Sequence, residues 1–195
     1  GELTAIYSIP KEWGGLFNCE ANETAFYINS DLLEDYTITL NGELGAYITD
    51  WGDGSRDKRT SHTYTKSGIF RIITGNAVTF GTGNPIPSNF ASAITRIIHL
   101  DETITNGDNL FKDCVNLLTI KGMNNTFNNA NYMFQNCGKL TTTTLSQCTF
   151  SNSVTGMISM FDGCYELSDD ISLQIPNSCT NINNLFKNCN KVLDI

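Results

Sequence analysis

Aspartate, histidine and cysteine are the residues of this chain best equipped for chemistry, and their spacing argues against each use in turn. Asp50, Asp53 and Ser55 alternate with Gly52 and Gly54 around Trp51. A hard cation wants about six or more oxygens, and the EF-hand pattern with its late Glu is absent. The simpler reading is a turn permitted by the glycines, with Asp53 accepting from nearby backbone N–H groups. His62 with Asp53 or Asp57 suggests acid–base work, but no Ser, Cys or Lys is placed by motif beside His62 or His99 to form a triad. Gly81, Thr82 and Gly83 lack the third glycine and helix start that a phosphate cradle needs. Glu166, Asp169 and Asp170 form a small acidic patch. The seven cysteines include no CxxC pair and have only His62 and His99 to supplement them, which argues against zinc. The expectation is a chain with no catalytic, cofactor-binding or metal-ligating residues.

The elements around these residues carry more information. Four of the cysteines fall at one recurring position. Leu110-Phe111, Met133-Phe134, Met160-Phe161 and Leu185-Phe186 are each followed, three residues after the Phe, by Cys114, Cys137, Cys164 and Cys189. A Leu or Val closes each copy, and the phenylalanines are 23, 27 and 25 residues apart. Residues 100–111 also align without gaps to residues 175–186. Self-similarity at this period marks a stacked repeat architecture. Short strands are expected near Ile97–Leu100, Leu118–Ile120, Thr143–Leu145, Ile171–Leu173 and Leu193–Ile195, each followed by a short helical or irregular return bearing the Phe and Cys. The two middle units are longer, and the extra residues near 124–129 and 150–153 should be loops. One unit cannot bury its apolar face alone, so Phe should stack on Phe along a common core. Met123, Met133, Met157 and Met160 read as core fillers. Neighbouring turns lie about 5 Å apart, so disulfides between stacked cysteines are geometrically allowed; the odd count favours free buried thiols.

Composition is consistent with this organisation. Charged residues are 16% of the chain, and Asn, Thr, Ser and Gly take their place, which favours turns and strands over long helices. A net charge of −8 offers no attraction to phosphate backbones, so nucleic acid is an unfavourable partner. The one basic cluster, Arg56, Lys58 and Arg59, reads as a solvated tip. No stretch of about 18 apolar residues is present, so no membrane span is expected.

The N-terminal half does not repeat. Tyr36–Leu40 alternates as a half-buried strand, and Asn41-Gly42 signals a tight turn. Trp51-Gly52-Asp53-Gly54 then precedes His62-Thr63-Tyr64 and the apolar run Ile69–Ile73. Residues 81–90, rich in Gly and Pro, read as a short connection.

Two family resemblances follow from these motifs. The strand–Gly-Asp-Gly–His-Thr-Tyr order over roughly residues 24–80 resembles a PKD-type or related immunoglobulin-like β-sandwich, with Asp50-Trp51 in place of its usual Trp-x-Phe. Residues 91–195 resemble the BspA-type leucine-rich repeat. Ile175-Pro176-Asn177-Ser178-Cys179-Thr180 with Phe186 and Cys189 is the best match, and the middle units are similar to its Met-Phe variant. The resemblance implies a mainly β chain in three parts: a sandwich over 1–80 with an N-terminal extension, a linker at 81–90, and a leucine-rich-repeat-like solenoid with short helical returns over 91–195. Trp51, Gly52, Asp53, Gly54, His62 and Tyr64 would form the sandwich motif. Phe111, Cys114, Phe134, Cys137, Phe161, Cys164, Phe186 and Cys189 would form the repeat core, with free thiols as the family habit. It further implies a non-catalytic, secreted or cell-surface bacterial adhesion protein whose partner is an extracellular or host protein or glycan. No signal or anchoring segment is visible in the sequence. The alternatives are a carbohydrate-binding or enzyme-accessory module, with Trp13 or Trp51 as an aromatic platform, and a structural spacer.

Overall fold

The computed structural model describes residues 19–41, 47–75, 79–141, 145–168 and 171–192. They are mainly β, with one short α-helix and three single 3-10 turns. In chain order the elements are β1 (Glu23–Asn29), β2 (Thr37–Thr39), β3 (Thr49–Asp50), β4 (Arg56–Asp57), β5 (Ser61–Thr63), β6 (Ile69–Gly75), α1 (Ser88–Ala91), β7 (Ile94–His99), β8 (Thr119–Ile120), β9 (Thr126–Phe127) and β10 (Thr149–Phe150). A six-stranded sheet has the order β4-β3-β6-β1-β7-β8. The small pairs β2–β5 and β9–β10 stand outside it.

Alternation explains the long strands. Phe26 and Ile28 on β1, and Phe70 and Ile72 on β6, point inward, and all four are buried. β1 pairs antiparallel with β6 on one side and with β7 on the other. β7 then pairs parallel with β8, Ile97 opposite Ile120. The sheet therefore passes from the non-repeating half into the first repeat. The stretch read as a connection, 81–90, contributes Ile86 and Phe90 to the same core.

The repeat units are joined by backbone hydrogen bonds along more than one line. On the strand side, the Leu118 amide donates to the Thr95 carbonyl at 2.8 Å, Thr141 to Leu118 at 3.1 Å, and Ser168 to Thr141 at 3.2 Å. Along the Phe segments, Phe111 donates to Met133, Phe134 to Met160, and Phe161 to Leu185, at 2.8 to 2.9 Å. Residues two before and two after each Phe repeat the pattern: Asn109 donates to Asn131 and Asp113 to Gln135, both at 2.9 Å.

Several expectations are corrected. The returns carrying Phe and Cys are not helical. They are successive turns, with Cys114 donating to Phe111 at 3.1 Å and Leu117 to Cys114 at 3.0 Å. Left-handed residues interrupt each return, as Asn109 (φ 57°) and Asp113 (φ 63°) do in the first, so no helix can propagate. The extra residues of the middle units are not loops alone: β9 and β10 lie within them and pair parallel, Thr126 opposite Thr149 and Phe127 opposite Phe150. No strand forms at 171–173. Leu145 begins a single 3-10 turn, while the other members of its expected strand and residues 193–195 lie outside the described residues.

Candidate functional site

Two constellations gather the residues that the sequence singles out. The first lies in the non-repeating half. Gly52 and Gly54 adopt φ of 84° and 98°, and a Cβ at Gly52 would stand 2.3 Å from the Arg71 carbonyl oxygen. Only glycine lets this turn press against β6. The turn brings Asp53 to His62, whose Nε2 lies 2.8 Å from Oδ2. Asp53 Oδ1 accepts from the Ser55 amide at 3.0 Å and from the Ser55 hydroxyl. Burial disfavours the Asp53 carboxylate, but the Ser55 and His62 hydrogen bonds outweigh it and hold the group below its ordinary value. The His62 ring stacks on Trp51 with centroids 5.1 Å apart and meets the edge of Tyr64 at 4.7 Å. Tyr64 donates to the Trp51 carbonyl at 2.9 Å and stacks on Phe70 at 4.1 Å. Burial pushes the Tyr64 phenol well above its ordinary range.

The chemistry available there is limited. Both oxygens of Asp53 are occupied by neighbours, and His62 is packed between the Trp51 face and the Tyr64 ring. Trp51 is fully buried and donates from Nε1 to Asp57 at 3.2 Å, so it offers no exposed platform for a sugar; Trp13 lies outside the described residues. Among the basic cluster, Arg56 sits on β4 and Arg59 forks onto Asp57. His99 Nε2 is shielded from solvent, with no hydrogen-bond partner among the described residues. Glu166 pairs with Lys191, while Asp169 and Asp170 lie outside the described residues. Among the described residues, no group of three His, Cys, Asp or Glu side chains could hold a metal ion.

The second constellation is the repeat spine. Phe111 and Phe134 stack at 5.7 Å, Phe134 and Phe161 at 5.2 Å, and Phe161 and Phe186 at 5.3 Å, with planes within 19° of parallel. The cysteines run beside the rings with a defined role. Cys137 Sγ donates to the Phe111 carbonyl at 3.1 Å, Cys164 to Phe134 at 3.1 Å, and Cys189 to Phe161 at 3.0 Å. Each thiol thus fills the second acceptor site of a carbonyl already bonded to the cysteine amide of its own unit. All seven cysteines are free. Burial pushes the thiols of Cys114, Cys137 and Cys164 far above the ordinary range, and that of Cys189 to about 11. Such thiols are poor nucleophiles.

No protein-family model, curated protein or solved structure matches this chain.

Three features of that geometry were missed from sequence. The ring row extends beyond the repeats: Phe80 lies 6.1 Å from Phe111, and Phe26 lies 5.4 Å from Phe80. A second line has Phe127 and Phe150 at 6.0 Å, with Cys148 donating to the Met123 carbonyl at 2.9 Å. Finally, the residues two before and two after each Phe are left-handed: Asn109 and Asp113, Tyr132 and Asn136, Ser159 and Gly163, Asn184 and Asn188. The signal was present in the Asp, Asn, Gly, Asn series two residues after each Phe. Those residue types tolerate positive φ.

Proposed function

We propose that this chain is a non-catalytic binding protein displayed at a bacterial cell surface. In this reading a PKD- or immunoglobulin-like β-sandwich over 1–80 leads through 81–90 into a BspA-like leucine-rich-repeat solenoid over 91–195. The observation that carries it is the way the repeat residues are used. Phe111, Phe134, Phe161 and their cysteines are spent on one buried row, so only the outward rows are left to touch other molecules. Those rows are largely polar, Val115 and Tyr165 aside, and cross-linked between units: Lys139 donates to Asn116 at 2.7 Å, and Asn136 to Asp113 at 2.7 Å. A ladder of modest polar contacts on a rigid stack suits a macromolecular partner better than a small substrate. The absence, among the described residues, of any helix long and apolar enough to cross a membrane agrees with a displayed segment.

A glycan-binding reading has one observation in its favour. Tyr165 is half-exposed, and its ring lies over Gly138, where a Cβ would stand 3.2 Å away. Immobilised chain should therefore be tested against secreted and extracellular-matrix proteins and, in parallel, a glycan array. The protein-binding reading expects saturable protein binding that falls at least about tenfold in Lys139→Glu/Tyr165→Ala, with the melting temperature kept. Hits confined to glycans, or no binding by either route, would overturn it.

A further inference from the structure

Two stretches of the chain read Asn-x-Thr with no proline between, Asn22-Glu23-Thr24 and Asn124-Asn125-Thr126. That is the acceptor pattern for an N-linked glycan. Far apart in sequence, the two converge in the fold on Glu102. Its amide donates to the Ala21 carbonyl at 2.8 Å, and its Oε1 accepts from Asn124 Nδ2 at 3.4 Å.

Both asparagines are exposed, but their settings differ. Glu20 to Glu23 form a tight turn leading into β1. The Glu23 amide donates to the Glu20 carbonyl at 3.0 Å, and the Glu20 amide donates to Glu23 Oε2 at 3.0 Å. Asn22 stands at the third position of that turn, and its side chain has no hydrogen-bond partner among the described residues. A turn held by its own flanks leaves an exposed side chain at its tip room for a bulky, hydrated sugar. The Asn124 carboxamide is instead engaged by Glu102. The residue two before each asparagine differs as well: exposed Glu20 for Asn22, and Gly122 for Asn124.

We propose that Asn22 is the attachment site of an N-linked glycan, with Glu20 as its specificity-determining residue. Bacterial oligosaccharyltransferases read an acidic side chain two residues before the asparagine as well as the hydroxyl two after it. Glu20 and Thr24 supply both, and Asn124 lacks the first. The donor is a lipid-pyrophosphate-linked oligosaccharide. Asn22 Nδ2 attacks its anomeric carbon, the carbon–oxygen bond to the pyrophosphate breaks, the lipid pyrophosphate leaves with the electron pair, and one amide proton passes to an enzyme base. Thr24 sets the timing. It is fully buried on β1, and its hydroxyl oxygen accepts from the Asp101 amide at 3.1 Å. A transferase cannot read that hydroxyl once β1 lies between β6 and β7, so transfer precedes closure of the sheet. The inference rests on the exported, bacterial reading for its enzyme and donor.

The test has two arms, both read by mass spectrometry of the proteolysed product. In the first, the whole chain is exported in a bacterial host that carries the transferase and its lipid-linked glycan. One glycan should appear on Asn22 and none on Asn124. Asn22→Gln should abolish it, and Glu20→Gln should reduce it at least about tenfold, because a site built for a charged group rejects its neutral isostere; both variants should keep the melting temperature. In the second, purified transferase and the same glycan donor are given the folded whole chain or a peptide of residues 19–30. The peptide should react at least about tenfold faster, because the folded chain exposes Thr24 only on opening. An unmodified Asn22 in both arms, beside a control acceptor that is modified, would overturn the proposal. So would glycan on Asn124 alone, full modification of Glu20→Gln, or a folded chain that reacts as fast as the peptide. A failure of the surface-binding reading leaves the second arm untouched, since the purified transferase acts without export.

Discussion

Cys137, Cys148, Cys164 and Cys189 each combine packing with a thiol hydrogen bond to a backbone carbonyl. Cys137 fills space beside Phe134 and delivers S–H to the Phe111 carbonyl. Cys137→Ala removes both contributions and should cost about 1–3 kcal/mol. Cys137→Ser restores a donor of smaller size and should cost less; urea denaturation of the two variants gives the comparison. The same burial sets an alkaline limit. Cys148 is pushed to about 12 and Cys189 to about 11, from an ordinary value of 9.0, by burial first. A folded-state value above the unfolded one means the folded state holds its proton longer. That stability is complete below pH 9 and drains away as pH rises from 9 through the folded values. Denaturation midpoints should be flat near neutrality and fall above about pH 9, with a shallower fall in Cys148→Ser; an identical slope would show that this thiol does not titrate on unfolding. Asp53 works in the opposite direction. Its lowered value contributes stability that is present above the ordinary carboxyl range and lost as pH falls through the folded value. Asp53→Asn should flatten that acid limb.

At the scale of elements, each repeat unit is a pair of ring faces and a bend. Phe134 is stacked on both sides, so Phe134→Ala should cost about 3–5 kcal/mol. Phe186 has one stacked neighbour and partial exposure, and Phe186→Ala should cost roughly half as much or less. Equal losses in thermal denaturation would mean that the rings do not report their place in the row. The bends are a separate requirement. Asn136 sits at φ 63°, where a β-branched side chain is strained by about 1–2 kcal/mol. Asn136→Val should therefore destabilise, while Asn136→Gly should be close to neutral. The Asn-rich composition thus supplies both the bends and the rungs between them: Asn131 accepts from the Ile158 amide at 3.0 Å, and Asn188 donates to Asp162 at 3.0 Å.

For the whole molecule, the decisive contact is between the halves. β1 is flanked by β6 from the non-repeating half and by β7 at the entry to the repeats. The ring row runs from Phe26 through Phe80 to Phe111 without a break. A core shared in this way should unfold as one unit. In a Trp13→Phe background, fluorescence of the remaining Trp51 and far-ultraviolet circular dichroism should give coincident transitions. Phe80→Ala should lower both together; two separated transitions would show that the halves are independent.

Much of the repeat was legible in the residues themselves. A Phe and a Cys three apart, recurring every 23 to 27 residues, announce a stacked row because one unit has nothing else to bury its ring against. Trp51, Gly52, Asp53, His62 and Tyr64 could likewise be nominated together, since glycines at a turn and a following His-Thr-Tyr strand form a local pattern. The remaining features depend on partners far apart in sequence. Whether a return is helical was decided by its left-handed flanks, present in all four units, which stop the turns from propagating into a helix. Phe127 and Phe150 read as inserted loop residues until β9 met β10. Phe80 fell at the last position of the stretch read as the sandwich, and only its position over Phe111 makes it the cover of one end. Local pattern determines which side chains must be buried, but the neighbour that buries them is chosen by the three-dimensional path of the chain.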